Sequence, residues 1–126
     1  MARTAKRDSF QEFVLEQLQG VREVSCRPMF GGHGLYTDRH FFGIIFRGRL
    51  YFKVSDASQG DYTAAGMKPF TPSATMMLKS FYEVPADVLE DRDEIVEWAT
   101  VAVRAANQRA AKRASVKAGN LKRRIV

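Results

Sequence analysis

Cysteine is nearly missing from this chain: Cys26 is the only one in 126 residues, which excludes an intramolecular disulfide and fits a reducing compartment. Long apolar runs are missing too. No stretch approaches the roughly eighteen residues needed to span a bilayer, and Met1 to Arg7 leads into a charged segment instead of an apolar signal core. These absences predict a cytoplasmic protein with no membrane partner. Carboxylates are absent from both ends. Residues 1–7 carry three basic side chains and residues 104–126 carry eight, so the ends hold +11. The middle, with nine basic and fourteen acidic side chains, holds −5. The net charge of +6 therefore belongs to the ends, and end-borne charge implies a detachable electrostatic partner more than a shaped binding face.

What is present suffices for one domain. The length and a hydrophobic content of 45% allow a core without disulfides or a structural metal. The layout reads as a basic arm at 1–7, a folded domain at 8–108 and a basic tail at 109–126, frayed or disordered.

Asp8 or Ser9 caps a first helix whose apolar stripe is Phe10, Phe13, Val14, Leu18 and Val21, with Gln11, Glu12, Glu16, Gln17 and Gln19 opposite and Gly20 as its stop. Val24 to Phe30 reads as a strand that Pro28 confines to an edge or a bulge. Gly31 to Gly34 is expected to turn the chain into a strand ending at Thr37, with Asp38-Arg39 as the next turn and Phe41 to Phe46 as a largely buried strand. After Arg47-Gly48, the stretch Arg49 to Val54 alternates cleanly, with Leu50, Phe52 and Val54 on one face and Arg49, Tyr51 and Lys53 on the other. A short helix follows from Ser55 or Asp56 to Ala65 and stops at Gly66. Met67–Phe70 and Thr75–Val84 read as strands joined through Thr71-Pro72-Ser73, and Pro85 closes the sheet region. Asp91 with Glu94 opens the longest helix, whose buried face is Ile95, Trp98, Ala99, Ala102 and Ala106. The fold class is thus α+β: an antiparallel sheet of about five to six strands flanked by an N-terminal helix, a short middle helix and a long C-terminal helix.

Few residues point to chemistry. Gly31-Gly32-His33-Gly34 has the composition of a phosphate-cradling loop but lacks a following Gly-Lys-Ser/Thr or a GxGxxG opening a helix, so a strand connection is the better reading. Cys26, His33 and His40 lie seven residues apart, neither a zinc-finger spacing nor a helical metal pair, and no metal or other cofactor is expected. The carboxylates from Glu83 to Glu97 crowd a helix start, where the macrodipole accounts for them. No catalytic residue is assigned and the protein is read as a non-enzyme. Arg49, Tyr51 and Lys53 interleave charge with a ring on the side of the strand read as solvent-facing, a pattern that can hold single-stranded nucleic acid. The tail offers Arg109, Lys112, Arg113, Lys117, Lys122, Arg123 and Arg124 to nucleic acid. Contact with about four phosphates would give a log–log salt slope near −3.6.

Four segments together carry a resemblance. Met29-Phe30-Gly31-Gly32-His33-Gly34-Leu35-Tyr36, Gly48 to Val54, Pro69-Phe70 and Ser80 to Pro85 resemble, in order and spacing, the N-terminal domain of the TfoX/Sxy family, over roughly Phe10 to Ala106. Met29, Phe30, Gly31, Gly32, Gly34, Leu35 and Tyr36 are its family-motif structural residues. The resemblance implies a compact α+β domain with a helix-flanked antiparallel sheet, and a link to regulators of natural competence genes. In those regulators a helical, nucleic-acid-associated C-terminal domain follows, whereas this chain is read as stand-alone with a short basic tail. Arg39 stands where the family often has a turn glycine, and Thr71 to Ala74 is short where many members have a longer basic hairpin. The leading expectation is a non-enzymatic regulatory or adaptor domain that contacts an unknown protein partner, with weak nucleic-acid association through the tail. The alternatives are a nucleic-acid-binding protein using the tail and the Arg49, Tyr51, Lys53 face, and a small enzyme or ligand binder at the glycine run. Monomer and homodimer both stay open.

Overall fold

The computed structural model describes residues 9–29 and 31–107. The basic arm, Asp8, Phe30 and the tail from residue 108 lie outside the described residues. Helix α1 (Ser9–Gln17) tightens into a 3-10 turn at Leu18–Gly20. Strands β1 (Val24–Met29), β2 (Gly32–Thr37), β3 (His40–Phe46) and β4 (Arg49–Lys53) follow, then α2 (Gln59–Ala64), β5 (Pro69–Ser73), β6 (Met76–Glu83) and α3 (Ala86–Glu90). The last described element, α4, covers residues 92–107. The six strands form one antiparallel sheet in the order β1-β2-β3-β4-β6-β5.

The helices all pack on one face. Val14 and Leu18 from the first helical segment, Tyr62 from α2, Val88 from α3 and Ile95, Ala99 and Ala102 from α4 bury against Leu35, Phe42, Ile45, Leu50 and Phe52 of the strands and Val54 just after β4. Each large apolar side chain taken out of water there stabilises by about 1.5–3 kcal/mol. Asp91 starts α4 as its sequence predicts, Oδ1 accepting from the backbone N–H of Asp93 and Glu94 at 3.0 and 3.1 Å.

Several expectations need correction. The apolar stripe of α1 is rotated: Gln11 and Gln17 are buried and Phe13 is exposed. The two amides can go inside because they find partners, Gln11 Nε2 at Cys26 Sγ (3.4 Å) and Gln17 Nε2 at the Leu89 carbonyl (2.9 Å). The short helix begins at Gln59, because Ser55 and Ser58 exchange hydroxyl and backbone hydrogen bonds that close a turn first. Thr71-Pro72-Ser73 is part of β5 and not its link, with Pro72 tolerated because β5 is an edge strand. Helix α3 was not anticipated.

The glycine run is also placed differently. Strand β2 already begins at Gly32, and of the three glycines only Gly31 has a positive φ, +81°. Gly32 is required for close approach: a Cβ there would sit 2.2 Å from the Ile45 carbonyl oxygen. Between β2 and β3 the register moves from Leu35↔Gly43 to Tyr36↔Phe41, which leaves Phe42 as an extra residue on β3. This bulge directs both Phe42 and Gly43 to the helix-covered face, where Gly43 leaves room for Leu35 and Phe52, whose side chains would meet its Cβ at 3.1 and 3.3 Å.

Two stability outcomes follow from these backbone constraints. Gly32→Ala forces the β2–β3 seam apart, with an expected loss of about 3 kcal/mol, read as a urea midpoint lower by at least about 1 M; an unchanged midpoint would contradict the close approach. Arg39 has φ +71° in the β2–β3 turn, next to Asp38 at +49°. Arg39→Gly relieves a left-handed cost of about 1 kcal/mol or more, partly offset by the glycine's unfolded-state freedom of about 0.5–1 kcal/mol. Tm should rise by about 2–4 °C, and a lowered Tm would refute the assignment.

Candidate functional site

The strand face away from the helices is where the sequence locates its binding residues. That face is not simply solvated. Ile44, Phe46, Tyr51, Phe70 and Phe81 form a second apolar cluster, with Phe41 and Leu78 against it. Phe70 belongs to β5, two strands from β4, yet its ring centroid lies 4.7 Å from that of Tyr51 and 5.3 Å from that of Phe46. Such reach requires the β5–β6 hairpin to curl over the sheet. Its ladder supplies the bend, since Pro69 pairs with Tyr82 but Phe70 with Leu78.

Arg49, Tyr51 and Lys53 share one side of β4 as expected, but they do not form a free stacking surface. Tyr51 is 8% exposed, covered by Phe70, and cannot offer its ring to a base. Burial pushes its hydroxyl pKa above the ordinary 10.0, with the Glu83 carboxylate adding to the rise and Arg49 opposing it. Arg49 is exposed, and its Nη1 lies 3.1 Å from both carboxylate oxygens of Glu83. Lys53 places its ammonium 4.9 Å from the centroid of the Phe81 ring. Phe30 and the tail candidates Arg109, Lys112, Arg113, Lys117, Lys122, Arg123 and Arg124 lie outside the described residues.

Strand β2 is an internal strand, paired with β1 on one side and β3 on the other. From His33 to Thr37 its backbone groups therefore face a ladder on each side, whereas a phosphate-cradling glycine loop presents unpaired N–H groups. Cys26, His33 and His40 occupy separate register positions, opposite Leu35, Pro28 and Thr37. Among the described residues no group of three or more His, Cys, Asp or Glu is placed to hold a metal ion. A shallow concavity beside α1, lined by Glu12, Leu15, Glu16 and Gln19, opens to solvent. No helix among the described residues is long and apolar enough to cross a membrane.

A family model described as TfoX N-terminal domain matches residues 16–106. The chain belongs to the TfoX N-terminal domain family. Comparison with curated proteins gives no match. The described motif residues of this TfoX N-terminal domain lie on the sheet seam: Gly32 at the contact with β3, Leu35 in the core beneath the helices, and Met29 and Tyr36 beside Gly34. Sequence reasoning missed Arg27 and Phe41 on the outer face. Arg27 lies 5.2 Å from the Tyr36 ring centroid, and Phe41 stacks on Tyr36 at 5.1 Å. The available signal was register, since Arg27 pairs with Gly34 and Tyr36 with Phe41.

On the other face Tyr62 packs against Trp98 (4.8 Å) and Tyr82 (6.1 Å), and burial, with Asp61 as a smaller cause, pushes its pKa far above 10.0. A raised folded-state pKa makes the contribution complete below pH 10 and lost as pH climbs from there toward the folded value. Tyr62→Phe should flatten the alkaline fall in stability above pH 10 by up to about 1.4 kcal/mol per pH unit. Urea midpoints compared at pH 9 and pH 11 read this directly; identical slopes in variant and parent would refute it.

Proposed function

We propose that this TfoX N-terminal domain is a non-enzymatic regulatory or adaptor module that works by contacting a protein partner, with weak nucleic-acid association through its basic C-terminal residues. The observation that carries the reading is the tip of the β5–β6 hairpin. Met76 and Met77 are 36% and 51% exposed. Neighbouring strand residues point to opposite faces, so this tip presents apolar surface on both sides. Methionine is unbranched and polarizable, and suits surfaces that must adapt to a partner. The backbone commitment of β2 and the burial of Tyr51 support a structural rather than catalytic use of the motifs.

The test begins with a partner captured from the native cell on the tagged chain, identified, and purified. Met76→Ser with Met77→Ser, in one chain, should weaken binding of that purified partner about tenfold, as loss of a small apolar anchor does, while leaving Tm unchanged. Equal affinity of the double variant and the parent would overturn the reading.

A further inference from the structure

Charge is divided between the two layers of the domain. Within residues 9–107 the strands and their connections (residues 22–54 and 67–83) carry eight basic against three acidic side chains, a net of +5. The helical segments (residues 9–21, 55–66 and 84–107) carry two basic against ten acidic, a net of −8. The helices cover one face of the sheet, so the layer that carries the open face is basic and the layer behind it acidic.

On that face Tyr36, Phe41 and Phe81 form a continuous row, with successive ring centroids 5.1 and 4.9 Å apart. A cation stands at each end: the Arg27 guanidinium 5.2 Å from the Tyr36 ring and the Lys53 ammonium 4.9 Å from the Phe81 ring. Phe81 is buried, whereas Tyr36 and Phe41 are half-buried and Arg27 is exposed. Gly34 is the seat of the row. A Cβ there would lie 3.1 Å from Tyr36 Cε1 and 3.2 Å from Phe41 Cε1, so both rings lean over the space that its missing side chain leaves.

We propose that this row is a docking platform for single-stranded nucleic acid, with bases stacking on Tyr36 and Phe41 while Arg27 and Lys53 meet backbone phosphates. Charge complementarity selects a polyanion, and the rings select among polyanions. An acidic peptide would satisfy the cations and leave the rings unused, and a duplex keeps its bases stacked internally. Every base has a π-face, so stacking tolerates any sequence. The guanidinium that now covers Tyr36 is a weak occupant at an exposed site, and a base that takes its place frees it for phosphate. This goes beyond the hairpin-tip contact and uses different residues.

The full chain is titrated against a fluorescently labelled oligothymidylate at low salt, with anisotropy as the readout. Tyr36→Leu should weaken binding about tenfold, and Arg27→Gln should lower the log–log salt slope by about 0.7, the value of one phosphate contact on a single strand. If Tyr36→Leu fails to fold by circular dichroism, Arg27→Gln on exposed edge strand β1 still decides. Three results overturn the platform: no binding by the parent chain, parent-like affinity and salt slope in both variants, or equal competition by polyglutamate or by duplex of matched phosphate content. The Met76→Ser, Met77→Ser chain binds the oligonucleotide as the parent does, so the platform and the hairpin-tip contact fail separately.

Discussion

The seam between β2 and β3 is the constraint on which the rest of this domain depends. Gly32 must approach the Ile45 carbonyl more closely than any side chain permits, and Gly43 must leave space for Leu35 and Phe52. Between these two glycines a single extra residue, Phe42, changes the parity of β3. Side chains alternate with a period of two, so one inserted residue exchanges the faces of all that follow. Ile45 thereby joins Phe42 on the helix side, while Ile44 and Phe46 go to the outer cluster. Without that insertion, alternation from Phe41 would send Ile44 and Phe46 to the helices beside Phe42 and leave Ile45 on the outer face.

How much of this was legible depended on whether the signal was local. The alternation of Arg49 to Val54 predicted its two faces correctly because that strand has no bulge: Leu50, Phe52 and Val54 are all in the helix-side core. Asp91 as a cap and Gly66 as a helix stop were readable because each acts within a few residues. The bulge at Phe42 was not, since nothing in Phe41-Phe42-Gly43 says which strand carries an unpaired residue until the partner is known. Gln11 and Gln17 were misassigned to solvent because their partners, Cys26 and Leu89, lie 15 and 72 residues away. Tyr51 was misread for the same reason: the ring that covers it, Phe70, comes from a strand that is not its neighbour. The glycine run was recognised as a marker of the family, but its tight spots are with β3, a contact that composition cannot reveal.

The curled hairpin links these two readings of the outer face. Carrying Phe70 back over Tyr51 and Phe46 removes apolar surface that would otherwise sit open on a one-sided sheet, as an added layer would. The same bend separates the outer face into a covered part near Tyr51 and an uncovered part near Tyr36 and Phe41. Arg49 belongs to the covered part, held by Glu83, and three other cations stand over rings: Arg27 on β1 over Tyr36, Lys53 at the end of β4 over Phe81 and Arg47 in the β3–β4 turn over Phe46.

The division of charge gives that arrangement a direction. A polyanion approaching a domain of this kind meets a field that depends on orientation: the strand layer attracts it and the helical layer repels it, so encounter is biased toward the face on which the rings lie. The body as a whole is acidic, and a uniform spread of the same charges would repel the polyanion from every side. Segregation, rather than net charge, is what makes the outer face available. Each layer also explains its own charge locally, with acids at the starts of helices α3 and α4 where the macrodipole favours them and basic residues such as Arg27 and Lys53 on strands where their stems lie along aromatic surface. Two local preferences, satisfied independently, thus leave the domain with a polarity that neither requires, and its physical effect is largest at low ionic strength, where charges more than a Debye length apart still act on one another.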